Sequence, residues 1–225
     1  MIIVDGKEVF SELSELVDPK HTALIVIDMQ KDFIDSDGVF GKMGIDLSMY
    51  ETVKPRVCEL LESAREHGVS VIHLQNTALD ARGSDSPAQI RFNLRMHMAA
   101  REDLPALRYT IPGTTGHNFS AGFEPTKGEF VVLKYRSSGF WGTNLDLLLR
   151  SNAIQCVVIA GCTTEGCVES TARDALFANY FVTIAEDAVG SDDKSQHDAS
   201  MLLMSNRFDI ATTSTISKLW KEAIQ

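Results

Sequence analysis

The sequence predicts an α/β protein, a three-layer α/β/α sandwich around a mostly parallel, doubly wound sheet of about six strands. Three observations predict it. Apolar runs of strand length alternate along the 225 residues with stretches of helical periodicity. The runs are nearly continuous in Val, Ile and Leu, as in parallel strands covered by helices on both faces. No internal repeat or low-complexity tract is present, so a single domain spanning 1–225 is expected.

In chain order, ALIVIDM (23–29) reads as the first strand and 51–67 as the first long helix. VSVIHLQ (69–75) and EFVVLK (129–134) are the next two strands, followed by a helix over 143–151. QCVVIAG (155–161), helix 166–179, YFVTIA (180–185), helix 195–206, FDIAT (208–212) and helix 214–224 complete βαβ units with right-handed crossovers. The rhythm breaks at 76–128. There Ser86, Pro87 and Gln89 provide an N-cap, a proline at the first helical position and a capping-box partner, which predicts a helix over about 87–101. The Pro- and Gly-rich stretch beyond it, 102–128, reads as part of a lid or interface insertion occupying about 76–128.

Composition excludes several classes of function. The formal charge is −10, from 31 acidic and 21 basic residues, and no Lys/Arg run is present that would track a phosphate backbone, so neither nucleic acid nor a membrane is an expected partner. No stretch approaches the roughly 18 apolar residues of a membrane span, and MIIVDGKEVF does not read as a signal peptide; a cytoplasmic protein is expected. Four cysteines without a CxxC pair or a Cys/His zinc spacing point to reduced thiols rather than a disulfide framework or a metal site.

Reactive side chains end three of the apolar runs. Cys167 follows the 155–161 strand through the turn at 161–166 and opens a helical pattern, where unpaired N–H groups and the helix dipole favour thiolate over thiol. Taken alone, a cysteine there is as readily a small packed residue. Asp28 and Lys134 each end a strand where an isolated charge is costly; alone, the first would cap a helix and the second would snorkel at an edge. Brought together, the three resolve one another: Asp28 takes the thiol proton, Lys134 holds both negative charges, and Cys167 attacks a carbonyl. Backbone N–H groups near Thr163 and Cys167 are the natural oxyanion donors.

These residues carry a resemblance. TALIVIDMQKDF, VVLKYRSSGFWGTNLDLLLRSNAI and IAGCTTEGCVESTARDA are similar to the corresponding motifs of the isochorismatase-like cysteine hydrolases, from about residue 20 to the end of the chain. The resemblance implies an Asp28–Lys134–Cys167 triad, a cis peptide at Cys162–Thr163 that aims the Thr163 N–H into the oxyanion hole, and a homo-oligomer, dimer or tetramer. It also implies a cysteine-dependent amidohydrolase that cleaves a C–N bond of a small amide, carbamoyl or ureido compound through a thioester. Gln75-Asn76-Thr77-Ala78 stands where nicotinamidases of this group carry an Asp-x-His metal motif, so neither a metal nor another cofactor is expected.

Within the group the chain looks nearest to the ureidoacrylate amidohydrolase branch, through Gln75-Asn76, the run at 134–140 and the run at 167–174; biuret hydrolases and N-carbamoylsarcosine amidohydrolase are further relatives. By that likeness Asn76 is a substrate-amide ligand. Arg136 has two open uses, binding a carboxylate or ordering the lysine loop. Ser137 stands where the branch has a tyrosine, and Ala78 where it has an aromatic residue, which leaves room for a different substrate.

Phe33, Phe140 and Trp141 are candidate apolar walls of the pocket, and His117, in the 102–128 stretch, is a candidate lining residue. His73, inside a strand, reads as a satisfied core residue. The competing function is a thiol-redox or small-molecule-binding protein in which Cys162 and Cys167 cycle to a disulfide.

Overall fold

The computed structural model describes residues 1–97 and 108–224. In chain order these form a hairpin of β1 (Ile2–Val4) and β2 (Lys7–Val9), then α1 (Leu13–Leu16), β3 (Thr22–Ile27), α2 (Lys31–Ile34), α3 (Val39–Lys42) and α4 (Tyr50–Glu66). β4 (Ser70–Asn76), α5 (Pro87–His97), β5 (Phe130–Lys134), α6 (Leu145–Ser151) and β6 (Cys156–Cys162) follow. The chain continues with α7 (Glu169–Phe177), β7 (Phe181–Gly190), α8 (Lys194–Ser205), β8 (Asp209–Ala211) and α9 (Thr213–Ala223).

The six-stranded sheet has the order β5-β4-β3-β6-β7-β8, and every pairing in it is parallel. All six residues of β3 are buried because alternate side chains serve two cores. Leu24 and Val26 pack with Val57, Leu60 and Trp220 of α4 and α9, while Ala23, Ile25 and Ile27 pack with Leu145, Leu149 and Ala172 of α6 and α7. This is the three-layer sandwich that the sequence predicts. From β3 the order runs outward to β4 and β5 on one side, and from β6 to β7 and β8 on the other. The carboxyl ends of β3 and β6 therefore flank the switch point, where the diverging connections leave a crevice.

The Ser86 hydroxyl accepts from the Gln89 N–H at 3.2 Å and so caps α5. The predicted end of that helix, 98–101, and the first part of the 102–128 stretch lie outside the described residues. Among the described residues, no helix is long and apolar enough to cross a membrane.

Candidate active site

Asp28 stands one residue past β3 in a left-handed conformation (φ 54°), a region that Asp adopts more readily than most residues. Its carboxylate is buried, and Oδ1 accepts the Asn76 N–H from the end of β4 at 3.0 Å. Lys134, the last residue of β5, lies two strands away and is fully buried. Its Nζ reaches over β4 to within 2.7 Å of Asp28 Oδ2, and it donates to Cys167 Sγ and to the Arg136 carbonyl, each at 3.2 Å. β6 delivers the third member. Gly161 (φ 117°) lies against β3, where a Cβ would collide with the Ile27 carbonyl; the Cys162–Thr163 peptide is cis, and a π-helical turn at Thr164–Val168 carries Cys167 into α7. Three strand ends thus bring Asp28, Lys134 and Cys167 into contact.

Burial is the largest influence on Asp28 and raises its carboxyl; Lys134, Cys167 and the Asn76 N–H pull the other way without overcoming it. Burial also opposes the charge on Lys134, yet Asp28 and Cys167 outweigh it and hold the ammonium protonated. The thiol corrects the sequence expectation of a thiolate stabilised at a helix start. Burial pushes Cys167 up to about 12 and the Asp28 charge adds to the rise, with Lys134 opposing. Burial thus acts against the charged form of all three groups, and Lys134 is the one whose neighbours overcome it.

Cys167 is half-buried and meets a cavity of about 820 Å³ whose floor also includes Asp28, Cys162 and Thr163. Phe33, predicted as a wall, is one, in an edge-to-face trio with Phe40 and Tyr109 at centroid distances of 5.1–5.5 Å. Asn76 and Arg136 also line the cavity. Arg136 Nη1 also donates to the Ser84 carbonyl at 3.0 Å, which ties the lysine loop to the 76–128 segment.

Three candidates fall elsewhere. His117 is not part of the cavity lining; it stands behind Thr77, its Nε2 paired with the Thr77 hydroxyl at 3.1 Å and its carbonyl accepting from Gln30 and Gln75. Phe140 is half-buried and packs against the core beside Tyr180, 6.0 Å between centroids. Trp141 is 72% exposed on the surface and outside the cavity lining. Along the lysine loop the lining stops at Ser137, and the side chains of Phe140 and Trp141 diverge from the pocket. His73 is fully buried with Nε2 on Glu129, as expected of a core residue.

Sequence reasoning missed Gln30, Thr110, Tyr109 and Glu165. Gln30 is fully buried and clamps the end of β4, accepting the Asn76 N–H at 2.7 Å and donating to the Asn76 carbonyl at 3.0 Å. A glutamine two positions past a strand-ending aspartate was the available signal. Glu165, two residues before the thiol, lines the cavity, and burial raises its carboxyl. Among the described residues, no group of His, Cys, Asp and Glu is arranged to hold a metal ion.

Residues 22–216 match the isochorismatase domain family. The chain belongs to the isochorismatase family. It is 36% identical over 176 residues to ureidoacrylate amidohydrolase RutB from Caulobacter segnis, a match covering 76% of this chain and 73% of that one. Among solved structures, N-carbamoylsarcosine amidase from Thermoplasma acidophilum is similar at 27% identity and TM-score 0.65, over 86% of this chain and 96% of that chain. A cysteine hydrolase from Pseudomonas syringae pv. phaseolicola 1448A shares the fold at TM-score 0.76 and 23% identity, over 92% and 96% of the two chains. Within the isochorismatase family the chain is thus a hydrolase of carbon–nitrogen bonds other than peptide bonds.

Proposed function

We propose that this isochorismatase-family protein is a cysteine-dependent amidohydrolase that cleaves a small amide, carbamoyl or ureido compound through a thioester, releasing ammonia or an amine. One observation carries the reading: Asp28 and Cys167 line one cavity, and the buried Lys134 Nζ behind them contacts both, 2.7 Å from Asp28 Oδ2 and 3.2 Å from Cys167 Sγ. Asp28 accepts the Cys167 proton as the sulfur attacks the substrate carbonyl. The transfer turns a carboxylate and thiol into a carboxylic acid and thiolate, so the net charge beside Lys134 is unchanged and no new buried charge is created. The raised carboxyl of Asp28 makes it a stronger base than an ordinary aspartate.

The N–H groups of Thr163 and Cys167 stabilise the tetrahedral oxyanion. As it collapses, protonated Asp28 passes its proton to the departing nitrogen. Asp28 then deprotonates the water that adds to the thioester, and collapse of the second oxyanion returns the proton to the sulfur. Phe33 packs on the substrate's apolar part, Asn76 binds its amide or ureido group, and the Arg136 guanidinium edge not used on Ser84 donates to a carboxylate. The likeness to a ureidoacrylate amidohydrolase supports a ureido acid as the first compound to try. Ser137 and Ala78 both line the cavity and widen it relative to the aromatic residues of that branch, which favours a substrate of different shape.

In this reading the described parts of the 76–128 segment cover the cavity, to which Arg82, Ile90, Arg108 and Tyr109 contribute. The working form is a cytoplasmic homo-oligomer; Val131 and Leu133, exposed on edge strand β5, are the surface that supports this. The redox alternative is not favoured, because the Cys162 thiol donates into the Asp28 carbonyl at 3.3 Å and burial raises it far above the usual range. Ammonia release from a panel of ureides, amides and N-carbamoyl amino acids tests the proposal. Turnover of at least one class that vanishes in Cys167→Ala is expected, and inertness toward the whole panel would refute it.

A further inference from the structure

We propose that Thr110 is a positioning residue that fixes which end of the Asn76 amide faces the reacting carbonyl, and thereby makes the site select a scissile group that carries N–H. The inference rests on the amidohydrolase reading and adds the origin of its preference for nitrogen over oxygen. Asn76 Nδ2 donates to Thr110 Oγ1 at 2.8 Å, and that hydroxyl itself donates to the Tyr109 carbonyl at 2.8 Å. A hydroxyl has a single proton, so toward Asn76 it is an acceptor, and the amide is held with its nitrogen on Thr110. Thr110 is fully buried and outside the cavity lining, whereas Asn76 lines the cavity. The part of the Asn76 amide left for the cavity is therefore its carbonyl oxygen, Oδ1.

Thr110 is itself clamped. It adopts φ 52°, rare for a β-branched residue, and such a conformation persists only where its surroundings enforce it. Its N–H donates to Asp32 Oδ2 at 2.7 Å, and its carbonyl accepts the Ala78 N–H at 3.0 Å. Asp32 is buried, and its other oxygen accepts the Val39 N–H at 3.1 Å. Gly116 lies directly against that carboxylate, where a Cβ would collide with it. A chain of hydrogen bonds thus runs from α3 through Asp32 and Thr110 to Asn76.

The consequence is chemical. Asn76 holds Asp28 by its backbone N–H and offers Oδ1 from its side chain, so a hydrogen-bond acceptor stands beside the base that must protonate the departing atom. A leaving NH or NH₂ donates to that acceptor; an ester oxygen has no proton to give and meets it lone pair to lone pair.

The test compares kcat/KM for a ureide or amide with that for the ester of the same acyl group, in wild type, Thr110→Val, Thr110→Ser and Asp32→Asn. Thr110→Val should lower the amide value at least about tenfold and the ester value less than about threefold, while Thr110→Ser restores the wild-type ratio. Asp32→Asn, which keeps the hydroxyl but loosens its anchor, should move the ratio in the same direction. Equal losses on both substrates, or a Thr110→Ser variant as impaired as Thr110→Val, would overturn the inference. Hydrogen exchange of the Asn76 side-chain protons, followed by ¹⁵N NMR without substrate, separates this inference from the amidohydrolase reading. Faster exchange in Thr110→Val is expected, and unchanged exchange would refute the positioning role whatever the enzyme hydrolyses.

Discussion

Each end of β5 carries a charged network, and the two behave in opposite ways. At the amino end, Glu129 accepts from Arg65 Nε at 2.7 Å and Nη2 at 3.1 Å, from the Thr126 N–H at 2.7 Å, and pairs with His73 at 2.9 Å. Burial opposes its charge, but these donors win and hold the carboxyl down at about 2. At the carboxyl end, Asp28 has Lys134, the Asn76 N–H and the Cys167 thiol, lies deeper, and is raised instead. A carboxylate saturated with donors is locked in one protonation state and serves as a strut. One that burial leaves poised between states can move a proton.

The largest expected effect falls on the poised end. Cys167→Ser and Lys134→Ala should each lose at least about three orders of magnitude in kcat/KM while the far-ultraviolet spectrum is retained. A serine variant near wild-type rate would break the assignment of the nucleophile. At the strut the effects should reverse: Arg65→Ala is expected to cost roughly 1–3 kcal/mol in denaturant unfolding yet leave kcat/KM within about threefold.

Acid titration sharpens the contrast, because the two carboxyls are shifted in opposite directions. The lowered Glu129 contributes stability that is complete above its unfolded value of about 4.3, and that is lost as pH falls through about 2. Glu129→Gln should remove that part of the acid-unfolding curve. Asp28 must be ionised to accept the thiol proton, so the acid limb of kcat/KM should lie above the ordinary aspartate value of about 3.9 and should not move in Glu129→Gln. The smallest effects belong to residues near the site in sequence but not in its chemistry. Cys162→Ser and Trp141→Ser should both keep kcat/KM within about threefold; inactivation of a folded Cys162→Ser would revive a redox role.

The layered fold and the reactive trio were legible because both are written in short stretches of sequence. Apolar runs marked the six sheet strands; Asp28 and Lys134 stood out as polar residues closing two of them, and Cys167 as the thiol past the turn that follows a third. The β1–β2 hairpin was overlooked although Asp5-Gly6 (φ 48° and 78°) is the turn such hairpins use. What stayed hidden depends on contacts between distant segments. Asp32 meets Thr110 across 78 positions, and Gln30 clamps Asn76 across 46; the place of Gln30 just past Asp28 is a local signal, but no local pattern names the partner of either. The loop aromatics were misplaced for a related reason: Phe140 and Trp141 are adjacent, yet one packs against the core and the other faces solvent. The thiol was misread because a helix start is visible in sequence and the depth of burial beneath it is not.

The central claim, that Asp28 takes the proton from a neutral Cys167 during attack, is tested most directly by the pH dependence of Cys167 alkylation in a Cys58→Ser background, where the other two cysteines, Cys156 and Cys162, are buried. With Asp28 present, the rate should still be climbing above the free-cysteine value of about 8.5. Asp28→Asn removes a charge that raises the thiol while Lys134 continues to lower it, so the midpoint should fall even as turnover is lost. A midpoint below about 8.5 with Asp28 intact, or one that Asp28→Asn leaves unchanged, would mean that the thiolate is already formed and needs no base.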